Sequence, residues 1–299
     1  MEIKSSMPVS EVLRKKIERQ VLSISGLALG GIDFERPRGD VGLFGPDSVV
    51  WRVHGDFSSM LCGGVSALLL QMLHPLALAG VWDHSNFRQD MLGRLRRTSQ
   101  FVSGTTFGPL ADAQKLIERV KNIHLKVTGV DAHGQPYAAS DPDLLVWVHV
   151  AESYSFLQSY LRYKNPDLSL AEQDQYYLEV SRVVEGLGGK EIPTSVQQIE
   201  DYLQRMRPVL RCDERTREVV ELILNAPAPS RIAVPVGKLM VWSGIELLPD
   251  WALQELGIRL SPMKRKSLDF TMRRVARVLR WAVRNGSWSR AMRRVGRLP

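Results

Sequence analysis

Apolar positions recur along most of this chain at helical rather than strand spacing. Between Leu110 and Gly129, the residues Ala113, Leu116, Ile117, Val120, His124 and Val127 fall at i, i+3, i+4, i+7, i+11 and i+14. Lys115, Glu118, Arg119, Lys121 and Lys126 occupy the other side, so the segment predicts an amphipathic helix with a lone histidine on its apolar face. The same reasoning predicts helices over Val9 to Ser25, from about Phe57 to His74, and over Arg88 to Phe101, Leu144 to Tyr163, Leu170 to Leu187, Ser195 to Val209 and Glu214 to Asn225. One more is predicted over Leu239 to Leu256, broken at Pro249. Asp141 and Pro142 suit the N-cap and first turn of the helix that follows them. The Gly/Pro-rich stretch 26–48, the SGTTFG segment at 103–108 and the turn from Val130 to Asp143 are expected as loops. Period-two runs are scarce and no βαβ alternation or internal repeat occurs, so the predicted fold class is all-α.

Met60 to Trp82 is almost continuously apolar and has the length of a membrane span. Gly63, Gly64, Gln71, His74 and Pro75 interrupt it, and in lipid the polar groups and the helix break would lack partners. The expectation is a buried central helix that ends near His74-Pro75, because a residue before proline is pushed out of helical geometry.

Charge changes the picture only at one end. The 299 residues carry a formal net charge of +8, yet residues 264–299 hold twelve Lys or Arg against one acid, Asp269, which leaves the first 263 residues slightly acidic. A nucleic-acid-binding body is therefore not expected. Arg273, Arg277, Arg280 and Arg284 repeat at i, i+4, i+7 and i+11 opposite Val275, Val278, Leu279 and Ala282. Such a basic amphipathic helix, with Trp281 and Trp288 near it, suits an anionic membrane surface, a second subunit or the chain's own body. Domain organisation reads as an N-terminal helix and loop over 1–40, a helical domain over 41–260 and a basic extension over 261–299. Cys62 and Cys212 match no CxxC, CxxCH or zinc spacing, which argues against a disulfide framework, a structural zinc and covalent haem. The N-terminus shows no apolar stretch behind a basic start and no twin-arginine pair, so a cytoplasmic location is expected.

Candidate chemistry rests on few residues. Six histidines stand at 54, 74, 84, 124, 133 and 149, with no HExxH or other metal-ligand pair at helical spacing. An inward imidazole such as His124 is either a hydrogen-bonded core residue or an axial ligand for a metal or haem. Arg94, Arg97 and Thr98, at i, i+3 and i+4, put two guanidiniums and a hydroxyl on one helix face, which suits an anionic or oxygen ligand and equally a solvated basic face. Trp147 and His149 lie in a mostly buried helix whose Leu144, Leu145, Val148, Glu152 and Phe156 form the apolar side. No GxSxG elbow, P-loop or GxGxxG after a strand is present, so hydrolase, NTPase and dinucleotide-dehydrogenase readings have no support.

Six ordered segments carry a family resemblance: GLFGPDSVVWRVHGD (42–56), LLLQMLHPLALAGVWDHSNF (68–87), GRLRRTSQFV (93–102), RVKNIHLKVTG (119–129), YAASDPDLLVWVH (137–149) and ELLPDWALQELGI (246–258). Over roughly residues 40–260 the chain resembles the oxygenase MpaB-like proteins, once a domain of unknown function, which are related to the rubber oxygenase (latex clearing protein) catalytic domain. The resemblance implies an all-α, single globin-like helical domain with a haem pocket that binds one non-covalent haem b and activates dioxygen. By motif, it implies His124 as the axial iron ligand, and Arg94, Arg97 and Thr98 as distal residues that hold oxygen or substrate. Trp147 and His149, with Arg94, are the further cofactor-binding candidates, and His84 and His149 the candidates for a second ligand. Arg97 stands where the family pattern has lysine. Because arginine stays protonated, a lysine-ligated resting state is excluded, and polyisoprene is not the expected substrate. The expected function is a haem b-dependent oxygenase or oxidase acting with dioxygen on a small apolar or lipid-like molecule, with or without a redox partner. The alternatives are a haem-binding protein for storage, sensing or transfer, and a haem-free helical scaffold.

Overall fold

In a computed structural model of the protein, residues 9–226 and 230–298 are described. The helices run in order α1 (Val9–Ile24), α2 (Val49–His54), α3 (Phe57–Gln71), α4 (Pro75–His84), α5 (Met91–Phe107), α6 (Leu110–His124), α7 (Pro142–Tyr163), α8 (Leu170–Leu187), α9 (Val196–Met206), α10 (Glu214–Leu224), α11 (Val234–Glu246), α12 (Asp250–Glu255), α13 (Pro262–Ala282) and α14 (Ser287–Arg294). The sheet among the described residues is a two-stranded hairpin, β1 (Thr128–Val130) antiparallel to β2 (Pro136–Ala138), with Gly129 opposite Tyr137. The all-α expectation holds. Asp131, in the hairpin turn, accepts the backbone N–H groups of His133 and Gln135 at 2.8 Å each.

α3 and α7 form the most extensive helix pair and the centre of the core. Glycine makes their approach close. A Cβ on Gly63 would meet the Phe156 ring and the Ser155 carbonyl at 2.9 Å, and one on Gly244 would meet the Cys62 carbonyl and Val65 at 2.6 Å. α11 is thereby drawn onto the other side of α3. As the apolar stretch predicts, α3 is buried and breaks at His74, whose extended backbone (φ −84°, ψ 118°) precedes Pro75. α3 and α4 meet at 104°, and no single helix among the described residues is long and apolar enough to cross a membrane.

Several boundaries match the sequence pattern: α1, α7 with Asp141 as N-cap, α8 with a Ser169–Glu172 capping box, and the break at Pro249. Three differ. The SGTTFG segment is not a loop but the last turns of α5, where Thr105, Thr106 and Phe107 are buried and Gly104 lies against Leu116 of α6. Tertiary packing overrides the poor helix propensity of Gly and Thr there. His124 is the last residue of α6, so Val127 belongs to the turn leading into β1. Finally, the segment expected as an extension closes the core: Met272, Ala276 and Leu279 of α13 are buried with Cys62, Tyr163 and Met240.

Spacing groups Arg280 with the basic face of α13, but its side chain turns inward. Its guanidinium donates to both Asp56 carboxylate oxygens (2.7 and 2.8 Å) and to the Tyr163 carbonyl (2.8 Å). Asp56 also caps α3 by accepting the Ser59 N–H. Arg294 of α14 is likewise buried, its guanidinium donating to the carbonyls of Phe34, Asp40, Phe107 and Gly108.

Asp56→Ala should cost about 3 kcal/mol in urea unfolding, because it removes a helix cap and strands a half-buried guanidinium. Arg297→Ala breaks a pair with Asp47 whose partners are 54% and 80% exposed, and should change stability by less than about 0.5 kcal/mol.

Candidate functional site

A cavity of about 960 Å³ lies between α3, α5, α7, α11 and α13. Its volume is at the upper end for small-molecule sites. Leu61 and Leu68 of α3, Leu95 and Val102 of α5, Val241 of α11 and Leu279 of α13 supply apolar wall. These residues recur at helical spacing on the inward faces, the arrangement that the periodicity implies for any core. Polar groups enter from α2, α7 and the α3 N-terminus: Arg52, His54, Asp56 and Glu152, with Arg280 opposite.

Each of these polar groups has a partner except one. Arg52 pairs with Glu172 at 2.7 Å, and Asp56 with Arg280. The ring of His54 is engaged at both nitrogens, Nδ1 with Thr106 Oγ1 at 2.9 Å and Nε2 with the Tyr176 hydroxyl at 3.0 Å. Burial pushes its pKa down to about 3, so this imidazole is a neutral, satisfied wall residue. Glu152 makes no hydrogen bond or ion pair. It lies inside the protein envelope, keeps part of its surface open to the cavity, and is pushed up to about 7 by desolvation.

The sequence-predicted residues are distributed as follows. Thr98 lines the cavity. Arg94 and Arg97 share the first half of α5 but point to separate partners: Arg94 donates to Ser85 Oγ at 2.6 Å, and Arg97, 57% exposed, pairs with Asp90 at 3.4 Å. Burial, and then the Arg97 charge, lower the Arg94 pKa. Trp147 is fully buried, donates to the Gln71 carbonyl at 3.2 Å and packs beside the His74 ring. His84 is exposed and its Nε2 lies 3.1 Å from the Thr128 carbonyl. His124 and His149 are not in the cavity lining, and each keeps one buried ring nitrogen, Nδ1 and Nε2 respectively, without a hydrogen-bond partner. Burial lowers both pKa values, that of His149 to about 4, so both rings are neutral near pH 7. A neutral imidazole with an unpartnered nitrogen is the donor that iron requires.

Among the described residues no cluster of three or more His, Cys, Asp or Glu side chains is arranged to hold a bare metal ion. His124 and His149 are the histidines with a buried, unpartnered ring nitrogen, and neither borders the cavity.

Glu152 and the Asp56–Arg280 pair escape recognition from motifs. The signal for Glu152 was present: it is a carboxylate on the apolar side of α7, four residues after Val148 and four before Phe156. No such signal existed for Arg280, since its inward turn depends on an acid 224 residues away.

Glu152 gives a signed pH dependence. Its pKa is raised on folding from an ordinary 4.5 to about 7, so the folded state holds the proton more tightly. The stabilisation is complete below pH 4.5 and disappears as pH rises through 7. Relative to Glu152→Gln, the wild type should lose about 1–3 kcal/mol of stability across that window. The acid-side losses expected from neutral His54 and His149 are common to both proteins and cancel in the difference.

No curated protein and no solved structure gives a match to the chain. Residues 51–281, from α2 to the penultimate residue of α13, match the family described as ER-bound oxygenase mpaB/B'/Rubber oxygenase, catalytic domain, and the chain belongs to that family of oxygenase catalytic domains.

Proposed function

We propose that the protein is a haem b-dependent oxygenase or oxidase acting on an apolar or lipid-like small molecule. The observation that carries this reading is the unpartnered, buried ring nitrogen of His124 in a chain whose family is an oxygenase catalytic domain. Leaving such a group unsatisfied costs about 1–3 kcal/mol, which a ligand bond would recover. In this reading His124, which stands outside the cavity lining, would hold the iron, and bound haem would supply the activation of dioxygen. Thr98 contributes a hydroxyl to the cavity wall, and Arg94, anchored by Ser85, stands one turn before it on α5, outside the lining. The apolar walls exclude water and hold the substrate skeleton.

His149 favours a second reading. With its own unpartnered nitrogen it could act as a second strong ligand, and a site closed on both sides suits storage, sensing or transfer of haem rather than turnover.

Purified protein reconstituted with haem should show a Soret band with releasable, unmodified haem b. His124→Ala should lose the pigment or regain it with added imidazole, while His133→Ala should not. A ferrous-CO complex that forms in the wild type supports the oxygenase. Carbon monoxide binding only in His149→Ala supports the closed site, and a colourless wild type removes both readings.

A peripheral membrane role belongs to the same proposal. Phe270, Val278 and Trp281 of α13 are 58%, 49% and 42% exposed and share an outer face with the exposed Arg274 and Arg277. Apolar rings among cations suit an anionic lipid interface. Flotation with anionic vesicles should be salt-sensitive and reduced in Phe270→Ser/Trp281→Ser. Unchanged flotation with a shift from dimer to monomer would assign the face to a second copy.

A further inference from the structure

We propose that the cavity selects an apolar molecule bearing one neutral hydrogen-bonding group, a hydroxyl or carbonyl, and that Glu152 is the residue that recognises it. The inference deepens the oxygenase reading, since it names the substrate class of the same cavity.

Glu152 combines three properties. It lies within the protein envelope, it faces the cavity, and it has no partner among the side chains and backbone groups around it. The polar groups that α2, the N-terminus of α3 and α13 bring into the same lining are engaged elsewhere. The His54 ring is held by Thr106 and Tyr176, Arg52 by Glu172, and Arg280 by Asp56 and the Tyr163 carbonyl. An isolated carboxyl in an apolar wall is costly, and an amide or an aliphatic side chain of similar size would be cheaper for folding alone.

The surroundings decide which partner fits. Phe156, one turn along α7, presents its ring to the same space, as do Leu68 and Val102 from facing helices, so most of a ligand must be apolar. A ligand carboxylate at this wall would meet a carboxyl, while the lining lysines stand elsewhere, Lys164 at the C-cap of α7, about 18 Å along the helix from Glu152, and Lys238 on α11. An ammonium would have to shed its hydration to form a buried ion pair, which often gains nothing over neutral contacts. A hydroxyl or carbonyl pays the smallest desolvation cost, and a carboxyl can both donate to it and accept from it. A bare hydrocarbon leaves Glu152 unsatisfied.

A ligand-by-variant cycle tests this. Binding of 1-decanol, decane and decylammonium to the full-length chain is followed by tryptophan fluorescence, since Trp51 and Trp288 line the cavity. Replacing Glu152 by Leu should weaken decanol by about tenfold relative to decane, as expected for one buried hydrogen bond, and Glu152→Gln should retain most of the decanol affinity. Equal changes for decanol and decane in Glu152→Leu would overturn the proposal. So would a larger loss for decylammonium than for decanol, because it would assign the carboxylate to a cation. The Soret band of the same variants separates the two readings. Alcohol selectivity in a chain that binds no haem drops the cofactor and keeps the recognition site, whereas a normal Soret band without selectivity does the reverse.

Discussion

The Asp56–Arg280 pair is the contact on which the geometry of this molecule turns. One carboxylate caps the N-terminus of α3 and accepts two guanidinium bonds from α13, while the same guanidinium reaches the carbonyl of Tyr163 at the end of α7. With the Asp56 side chain 4% exposed, water cannot replace either partner cheaply. Three helices from the first quarter, the middle and the end of the chain are therefore fixed relative to one another at a single polar node, and that node forms part of the cavity wall. Hydrophobic contact alone tolerates sliding of helices. A bidentate ion pair with a third, directional acceptor does not, so it determines where α13 stands across the cavity.

From that node outward, the interior can be read as an account of satisfied and unsatisfied polar groups. His54 shows what a structural histidine looks like, with both nitrogens engaged and its proton affinity suppressed by burial. Arg294 shows the same for a cation, held by four backbone carbonyls. His124, His149 and Glu152 do not fit this pattern. Buried polar atoms without a hydrogen-bond partner also occur on Trp51, Ser58, Ser66, Asp131, Ser155, Ser243 and Glu246, so what sets His124 and His149 apart is that the unpartnered atom is an imidazole nitrogen, a metal donor, and what sets Glu152 apart is that its carboxyl faces the cavity.

How much of this was legible depends on the range of the interaction. α8 is written in its own residues, Ser169 and Glu172 at the start and Gly188 at φ 111° at the end, and its limits follow from them. The same holds for the break at His74-Pro75, which is a local steric fact. The last turns of α5 were not legible, because Ser103 to Phe107 are helical only through burial against α6 and the residues beyond it. Nor was Arg280: its spacing fits a solvated stripe, and only the fold brings Asp56 to it. At the site, placement on or beside apolar helices gives His74, His84, His124 and His149 alike, and the periodicity does not say which ring nitrogens lack a partner. The cavity, which His124 and His149 do not line, is a product of five helices and has no sequence signature.

Arg97 illustrates why a shared helix face is weaker information than a shared environment. Arg94, Arg97 and Thr98 stand one turn apart, yet the first is half-buried and tied to Ser85, the second is mostly in solvent with Asp90, and the third borders the cavity. Helical spacing places Cβ atoms, and long side chains then diverge over several ångströms toward whatever solvates them. A charge at position 97 therefore acts on the cavity through a screened, water-filled path, whereas a charge at 94 acts through protein. Of the two guanidiniums, Arg94 is the one whose charge the fold holds in a fixed place, against Ser85.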